Sequence, residues 1–391
     1  MRESFMTKSP KQIHPDYDLI IVGASFAGLV AARTAAHRSL SVAVIDAKPE
    51  PGARVRSTGI LVKEAIGECD VPAALTRKIP GVRMYAPNGD HMDLTAPGYF
   101  FLATDTAGLM RWLAREAARA GANLMFGARF THATLLADRV HLHRLNLSAR
   151  YLLGADGARS RVAEVFGLGR NREFLIGLET EYEETPTVDP DFLHCFIDSK
   201  RAPGYLGWVV PGAGMTQVGL AVSDAPFGAA RKPDYQAFLK SIDNRFALWN
   251  CEVLRKRSGP IPCGGLVSPL STHRVLLTGD AAGLVSPLTA GGIRLAFQYG
   301  RRAAATISDY LQDGGPDPGA VMAKEYPTFA MKTWMRRLWS VAPPNALLNA
   351  TLFTPPMRAL AQRIYFERKA VKTTGKSLTA PSSGETLSVA I

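Results

Sequence analysis

The 391-residue sequence predicts an α/β fold in which a parallel sheet is interwoven with an antiparallel sheet, closed by a small C-terminal helical region. Three observations predict it. Apolar runs of the kind that parallel sheets bury recur far apart in the chain, each ending in small residues and an acid. From about 171 to 260 the pattern changes to short strands separated by turns. Beyond about 320 the apolar spacing becomes helical and is broken by proline pairs.

The first run is Tyr17-Asp18-Leu19-Ile20-Ile21-Val22. Gly23-Ala24-Ser25-Phe26-Ala27-Gly28 follows it, then a helix-forming stretch over 29–39. A second strand over 41–45 leads into Asp46, 23 residues after Gly23. Strand, glycine turn, helix, strand and acid in this order are the layout of a Rossmann-like dinucleotide-binding unit. Gly23 is expected to make the turn and Gly28 to let the helix pack on the strand. Asp46 is expected to accept hydrogen bonds from an adenosine ribose. Ser25 stands where a middle glycine is usual, and its small hydroxyl can donate to a phosphate. Arg54, with Arg56 and Lys63 nearby, is placed either to approach a pyrophosphate or to solvate a surface.

Residues 81–103 suggest a hairpin around Pro87-Asn88-Gly89-Asp90, and 109–120 an amphipathic helix. Strand-like stretches over 123–134 and 139–146 lead to Arg150-Tyr151-Leu152-Leu153. That run enters Gly154-Ala155-Asp156-Gly157, with 158–161 reading as the first turn of a helix. Two readings stand here: a plain strand-to-helix turn with a capping aspartate, or cofactor contact by Asp156 and Gly157. The third run, Arg274-Val275-Leu276-Leu277-Thr278, enters Gly279-Asp280-Ala281-Ala282-Gly283, then Pro287 and Gly291-Gly292-Ile293 at the start of a helix over 293–307. Small residues let backbone approach a ligand, and a helix N-terminus points unpaired N–H groups at negative charge. Three such strand ends predict bound FAD. The FAD-binding domain is expected over 16–80, 101–170 and 265–320, and the antiparallel substrate domain over 81–100 and 171–264. The helical region covers 321–372, with flexible tails at 1–15 and 373–391.

Within the antiparallel region, 206–211 and 216–222 flank Gly212-Ala213-Gly214. No helix follows, so the glycines read as a turn rather than a second nucleotide site. Hydrophobic content of 47% and charged content of 20% fit an ordinary globular protein. Cys69, Cys195, Cys251 and Cys263 lack metal-ligand spacing, so no metal is expected and reduced thiols in a cytoplasmic protein are. Neither a signal peptide nor a membrane-spanning run is read. The net charge of +12 comes without a dense Lys/Arg run interleaved with aromatics, which argues against nucleic acid. Over 328–341, Met331, Met335 and Trp339 share helical spacing, as do Trp334 and Leu338, beside Lys332, Arg336 and Arg337. Pro343-Pro344 and Pro355-Pro356 then interrupt a stretch holding Leu347, Leu348, Leu352 and Phe353. This segment is expected either to cap the substrate domain or to lie peripherally on the inner face of a membrane and admit a hydrophobic small molecule. The sequence does not speak to oligomeric state.

With the glycine loop, Asp156-Gly157 and Gly279-Asp280 in this order, the chain resembles the glutathione-reductase-fold flavoproteins of the aromatic-hydroxylase type. The run from Gly279 to Ile293 is most similar to the geranylgeranyl reductase family of FAD-dependent oxidoreductases. The resemblance covers about residues 16–310. It implies reduction of C=C bonds in an isoprenoid or other lipid by hydride from reduced flavin N5, with NAD(P)H as electron donor. Family members carry Pro-x-x-Tyr-x-Trp-x-Phe-Pro on the sheet over the flavin. Here Pro203-Gly204-Tyr205-Leu206-Gly207-Trp208-Val209-Val210-Pro211 keeps the outer prolines and the Trp, with Leu206 at the Tyr position and Val210 for Phe. The implied substrate wall is Tyr205, Leu206, Trp208 and Pro211, with strand alternation turning Tyr205 and Leu206 opposite ways. A Cys-Gly-Gly segment of some reductases corresponds to Ser57-Thr58-Gly59, and an arginine of many relatives to Thr106. No residue stands out as the acid; Tyr205, Tyr182 and His194 are candidates. The alternatives are a flavin monooxygenase, a flavin halogenase and a non-catalytic FAD-binding partner protein.

Overall fold

The computed structural model describes residues 15–224 and 233–366, so the expected tails fall outside the described residues apart from Pro15. The strands Ser271–Thr272, Val275–Leu277, Leu147–Gly154, Tyr17–Val22, Val42–Asp46 and Asn123–Phe126 lie side by side in that order, parallel except for the first pair. From the central strand Tyr17–Val22 the chain moves outward to Val42–Asp46 on one side and later to Leu147–Gly154 on the other. The reversal leaves a crevice at the carboxyl ends, where open α/β sheets bind their ligands. All three sequence motifs begin at those ends, since Val22, Gly154 and Leu277 are in register.

Burial explains why the runs are continuous rather than alternating. Leu19, Ile20, Ile21, Leu152, Leu153 and Val275–Leu277 are fully buried, on both faces of the sheet. The helix Phe26–His37 begins three residues before the sequence suggested, with Ser25 at its N-cap. It lies against the long helix Ile293–Asp313 at a contact only glycine permits. A Cβ on Gly300 would stand 2.5 Å from the Ala27 carbonyl oxygen.

The second sheet runs His91–Thr95, Gly81–Tyr85, Phe192–Phe196, Gly207–Pro211, Thr216–Ser223, Phe174–Tyr182, Val253–Pro262. It is antiparallel apart from the Gly81–Tyr85 and Phe192–Phe196 pair. One face packs on the helix Tyr235–Phe246 through Phe238, Ile242 and Phe246. The other face looks toward the carboxyl ends of the parallel strands. A third sheet, Ile60–Val62, Phe101–Thr104 and Thr76–Ile79, was not legible in the sequence because its strands are three or four residues long. The helices Ala330–Ser340, Asn345–Thr351 and Pro355–Tyr365 complete the described chain. Among the described residues no helix is long and apolar enough to cross a membrane.

Two local expectations need correction. The strand read over 123–134 stops at Phe126, and that over 139–146 shrinks to Val140–Leu142, which pairs back antiparallel on Ala133–Leu135. A left-handed Gly127, at φ +73°, ends the first of them. The helix expected from 158 starts at Arg161 instead, because Ser160 is its N-cap and accepts the Ala163 N–H at 3.0 Å.

A Cβ on Gly28 would lie 1.9 Å from the Gly23 carbonyl oxygen, so the glycine loop and its helix meet there with no room for a methyl group. Gly28→Ala is expected to cost about 3 kcal/mol through forced displacement of the loop, read as a lowered unfolding midpoint in urea. An unchanged midpoint would show that the loop relaxes freely.

Candidate functional site

A cavity of about 810 Å³ occupies the crevice and continues beneath the antiparallel sheet. Of the expected cofactor residues, Gly23, Ser25, Phe26, Ala27, Asp46, Arg54, Asp156, Gly157, Gly279, Asp280, Gly291, Gly292 and Ile293 line it. Gly23, at φ +110°, turns the chain where a Cβ would stand 2.3 Å from the Ala155 carbonyl oxygen. Ala24, Gly28, Ala281, Gly283 and Pro287 do not line the cavity but shape its walls. The Ala24 N–H donates to Asp46 at 2.7 Å, and Gly283 adopts φ +73° with its α-carbon pressed toward the Gly265 carbonyl. Lys63 turns away and donates to the Gly98 carbonyl at 2.6 Å, whereas Arg56 lines the cavity beside Arg54. Lys48, Arg129, Arg159 and Arg161 join them from separate segments, and no local pattern in the sequence marks this convergence.

The three acids differ in what their carboxylates do. Asp46 accepts from the N–H groups of Ala24 and Lys48, at 2.7 and 2.8 Å, so it ties the glycine loop to the end of its strand. Asp156 accepts the Ser160 hydroxyl at 2.6 Å and the N–H groups of Arg161 and Val162 at 2.7 and 3.0 Å. That is the capping reading of the sequence, on a residue that still borders the cavity. Asp280 has no carboxylate partner among the described residues, and burial pushes its pKa up to about 6. The helices that start at Phe26 and Ile293 carry no side-chain cap, and their first residues line the cavity. Unpaired N–H groups at two helix starts and an unpartnered acid fit an anionic, hydroxyl-bearing dinucleotide.

Over this end lies one row of side chains running across the antiparallel sheet. Registers place Met84, Cys195, Trp208, Gly219, Glu179 and Arg257 opposite one another on successive strands, and all but Gly219 line the cavity. Gly219 lets the Trp208 ring lie across its strand, since a Cβ there would stand 2.4 Å from the indole. The indole N–H thereby donates to Glu179 at 2.8 Å. Arg257 pairs with Glu179 at 3.1 Å and with Glu181, and donates to the Ser57 carbonyl. Thr58 donates its hydroxyl to Glu179 at 2.7 Å, and Gln217 donates to the Thr58 carbonyl at 2.9 Å. Burial pulls the Arg257 pKa down and pushes that of Glu179 up, against their mutual attraction. Gly59, at φ +78°, sits against the hydroxyls of Thr104 and Thr106, so Thr106 packs on this segment.

Farther along, the lining becomes apolar, with Phe101, Leu193, Ile197, Met335, Trp339 and Leu352. Tyr205 and Leu206 both face this space. They do not point opposite ways because the strand begins only at Gly207, so its alternation does not reach them. Trp208 lines the cavity and Pro211, at the strand's far end, does not. His194 lies on the other face, bonded through Nδ1 to the Tyr85 hydroxyl at 2.9 Å, with its pKa lowered by burial to about 4. Tyr182 packs on that same face, among Val209, Val218 and Phe246. Neither borders the cavity, which leaves Tyr205 of the three expected acids. The sequence missed Tyr365, which also lines it and donates to the Cys195 sulfur at 3.6 Å.

Two outcomes follow from these contacts. Arg257→Met leaves Glu179 buried without its cation and Glu181 with only Arg255, at 3.9 Å, at a cost of about 3–5 kcal/mol in chemical denaturation. Adding Glu179→Gln and Glu181→Gln is expected to restore part of that stability, and a further loss would refute the clamp. For Asp280, the folded pKa lies above the 3.8 of the free acid, so the flavin-free protein binds the extra proton. Its stability is expected to fall as pH rises from about 4 to 6, and Asp280→Asn to flatten that slope in thermal melts. An unaltered slope would place the titration elsewhere.

A family model described as an FAD binding domain matches residues 16–318. The digeranylgeranylglycerophospholipid reductase of Methanosarcina acetivorans is 28% identical over 315 residues, covering 76% of each chain. The geranylgeranyl diphosphate reductase of Rhodobacter capsulatus is 29% identical over 312 residues, covering 77% of each. A geranylgeranyl bacteriochlorophyll reductase-like protein of Thermoplasma acidophilum shares the fold at a TM-score of 0.77 and 22% identity, over 90% of this chain and 96% of that one. The resemblance carried by the Gly279–Ile293 run is therefore upheld, and the chain belongs to the FAD binding domain family of oxidoreductases, as a relative of the geranylgeranyl reductases.

Proposed function

We propose that the protein reduces C=C bonds of an isoprenoid or other lipidic substrate, with NAD(P)H as the electron donor. The observation that supports this reading most is the apolar extension of the cavity beyond the cofactor motifs. Its residues would suit an extended hydrocarbon and offer few groups to orient a polar aromatic ring. FAD, when bound, supplies a two-electron hydride donor. Gly23, Ser25 and the helix start at Phe26 would hold its phosphates, Asp46 its adenosine ribose, and Asp280 with Gly291 and Gly292 the ribitol and ring end. Trp208 and the Ser57–Gly59 segment would bound the reacting face, and the apolar wall would exclude water. Tyr205 and Tyr365 are the hydroxyls that could deliver a proton to the reduced carbon.

The same frame would serve oxygenation, so the test must read the product. The flavin-loaded protein, reduced anaerobically with NADPH, is mixed with a detergent-dispersed geranylgeranyl lipid, with or without dioxygen. A product heavier by two hydrogens per double bond, formed without dioxygen, is expected. A product heavier by one oxygen, formed only with dioxygen, would replace this reading with a monooxygenase. Release of no product with either, alongside intact flavin binding, would point to a non-catalytic flavoprotein.

A further inference from the structure

The helix Ala330–Ser340 is apolar on two sides. Met335 and Trp339 face the cavity, and between them the buried Arg336 guanidinium lies 5.5 Å from the Tyr205 ring centre. On the adjoining, outward side Met331, Trp334, Leu338 and Val341 follow one another at spacings of three, four and three, which places them in one stripe. They are 70, 60, 55 and 73% exposed. Leu347 and Leu360, from the next two helices, are exposed as well. Isolated exposed apolar residues need no explanation, but a stripe this size on one helix does.

Charge supplies the second observation. Between Tyr326 and Phe366 the sequence holds Lys332, Arg336, Arg337, Arg358 and Arg363, and no aspartate or glutamate. Arg337 reaches Glu173, from a distant part of the chain, at 2.8 Å. Arg336 is buried, which leaves Lys332, Arg358 and Arg363 as the segment's other cations. A segment without acids of its own, on a chain of net charge +12, disfavours a second copy of itself and attracts an acidic layer.

We propose that the outer stripe of the 330–340 helix docks the protein on an anionic lipid bilayer, with Trp334 and Leu338 inserted at the headgroup boundary. Aromatic and aliphatic side chains on one face, with arginine and lysine alongside, bind an interface without crossing it. Because the inner side of the same helix lines the cavity, docking sets the bilayer beside the apolar space. The use of that position rests on the lipid reading above; the stripe and its charge do not.

The test is sedimentation of the flavin-loaded full-length protein with vesicles of phosphatidylglycerol and phosphatidylcholine in equal parts. Binding that weakens on replacing phosphatidylglycerol with phosphatidylcholine, and on adding salt, is expected. The double variant Trp334→Glu, Leu338→Glu is expected to lose vesicle affinity by about tenfold or more while retaining flavin and its unfolding midpoint. Trp334→Phe is expected to keep most of the binding. Equal recovery in the supernatant with and without vesicles would overturn the proposal. So would equal binding by the double variant, or a concentration-dependent dimer that this variant abolishes in the absence of vesicle binding. Turnover of the detergent-dispersed lipid is followed in the same preparations. Vesicle binding without turnover upholds docking and removes the reductase reading, and turnover without binding does the reverse.

Discussion

The buried cation Arg257 is the contact on which the site's shape depends. It stands in the antiparallel sheet, yet it holds the Ser57 carbonyl of the segment before the strand Ile60–Val62 and both Glu179 and Glu181 of the neighbouring strand. A lone guanidinium in that position would be costly, as would two lone carboxylates, so neither partner can leave without the other. The network therefore fixes how far the sheet stands above the carboxyl ends of the parallel strands. Trp208 and Thr58, both bonded to Glu179, are located by the same anchor. The cavity between the two sheets is in this sense a consequence of one charge cluster.

The parts of this arrangement that were legible in the sequence were those with local signatures. Leu19–Val22 and Tyr151–Leu153 announce themselves as apolar runs because both of their faces are covered. The glycine loop, Gly279-Asp280 and the Asn88-Gly89 hairpin are legible because each packs a backbone requirement into a few consecutive residues. The charge cluster has no such trace. Glu179, Arg257 and Thr58 lie 78 and 121 residues from one another along the chain and meet only through strand registers. Reading Tyr205 and Leu206 as facing opposite ways failed for a related reason, since the rule of alternation was applied one turn before the strand begins. His194 and Tyr182 looked available as acids until the pairing showed which face of the sheet they occupy.

The departures from the reductase pattern become coherent once the packing is considered. Where relatives have an arginine, Thr106 offers a small hydroxyl, and Gly59 approaches it so closely that a larger side chain would not fit without moving the Ser57–Gly59 segment. That segment is in turn tied to Glu179 and Gln217. Ser57, Thr58, Gly59 and Thr106 are thus one packed unit. In the proposed reduction, a proton for the carbon centre would come from a group that lines the apolar part of the cavity. Among the lining residues there are Tyr205, Tyr365 and the Cys195 thiol, the last with its pKa pushed by burial up to about 11.

Those donors sit in the apolar part of the cavity, and their setting bears on how the site excludes water. The wall there is built from two sources, the inner face of the antiparallel sheet and the helices after Tyr326. The sheet half is rigid, since its registers are fixed by the row from Met84 to Arg257. The helical half rests on apolar packing and on polar tethers to the sheet: Asn345 donates to Asp198 at 2.9 Å, Asn349 accepts the Asn88 N–H at 3.1 Å, Gln362 donates to the Thr95 carbonyl at 2.9 Å, and Arg337 pairs with Glu173 at 2.8 Å. The buried Arg336 guanidinium adds to them, lying over the Tyr205 ring and against the Cys263 thiol. Both halves of the wall are therefore anchored to the same antiparallel sheet, one by its strand registers and the other by these tethers. An apolar space held closed from both sides keeps water away from the row at Trp208, which is the condition that the proposed hydride transfer to a lipid would need.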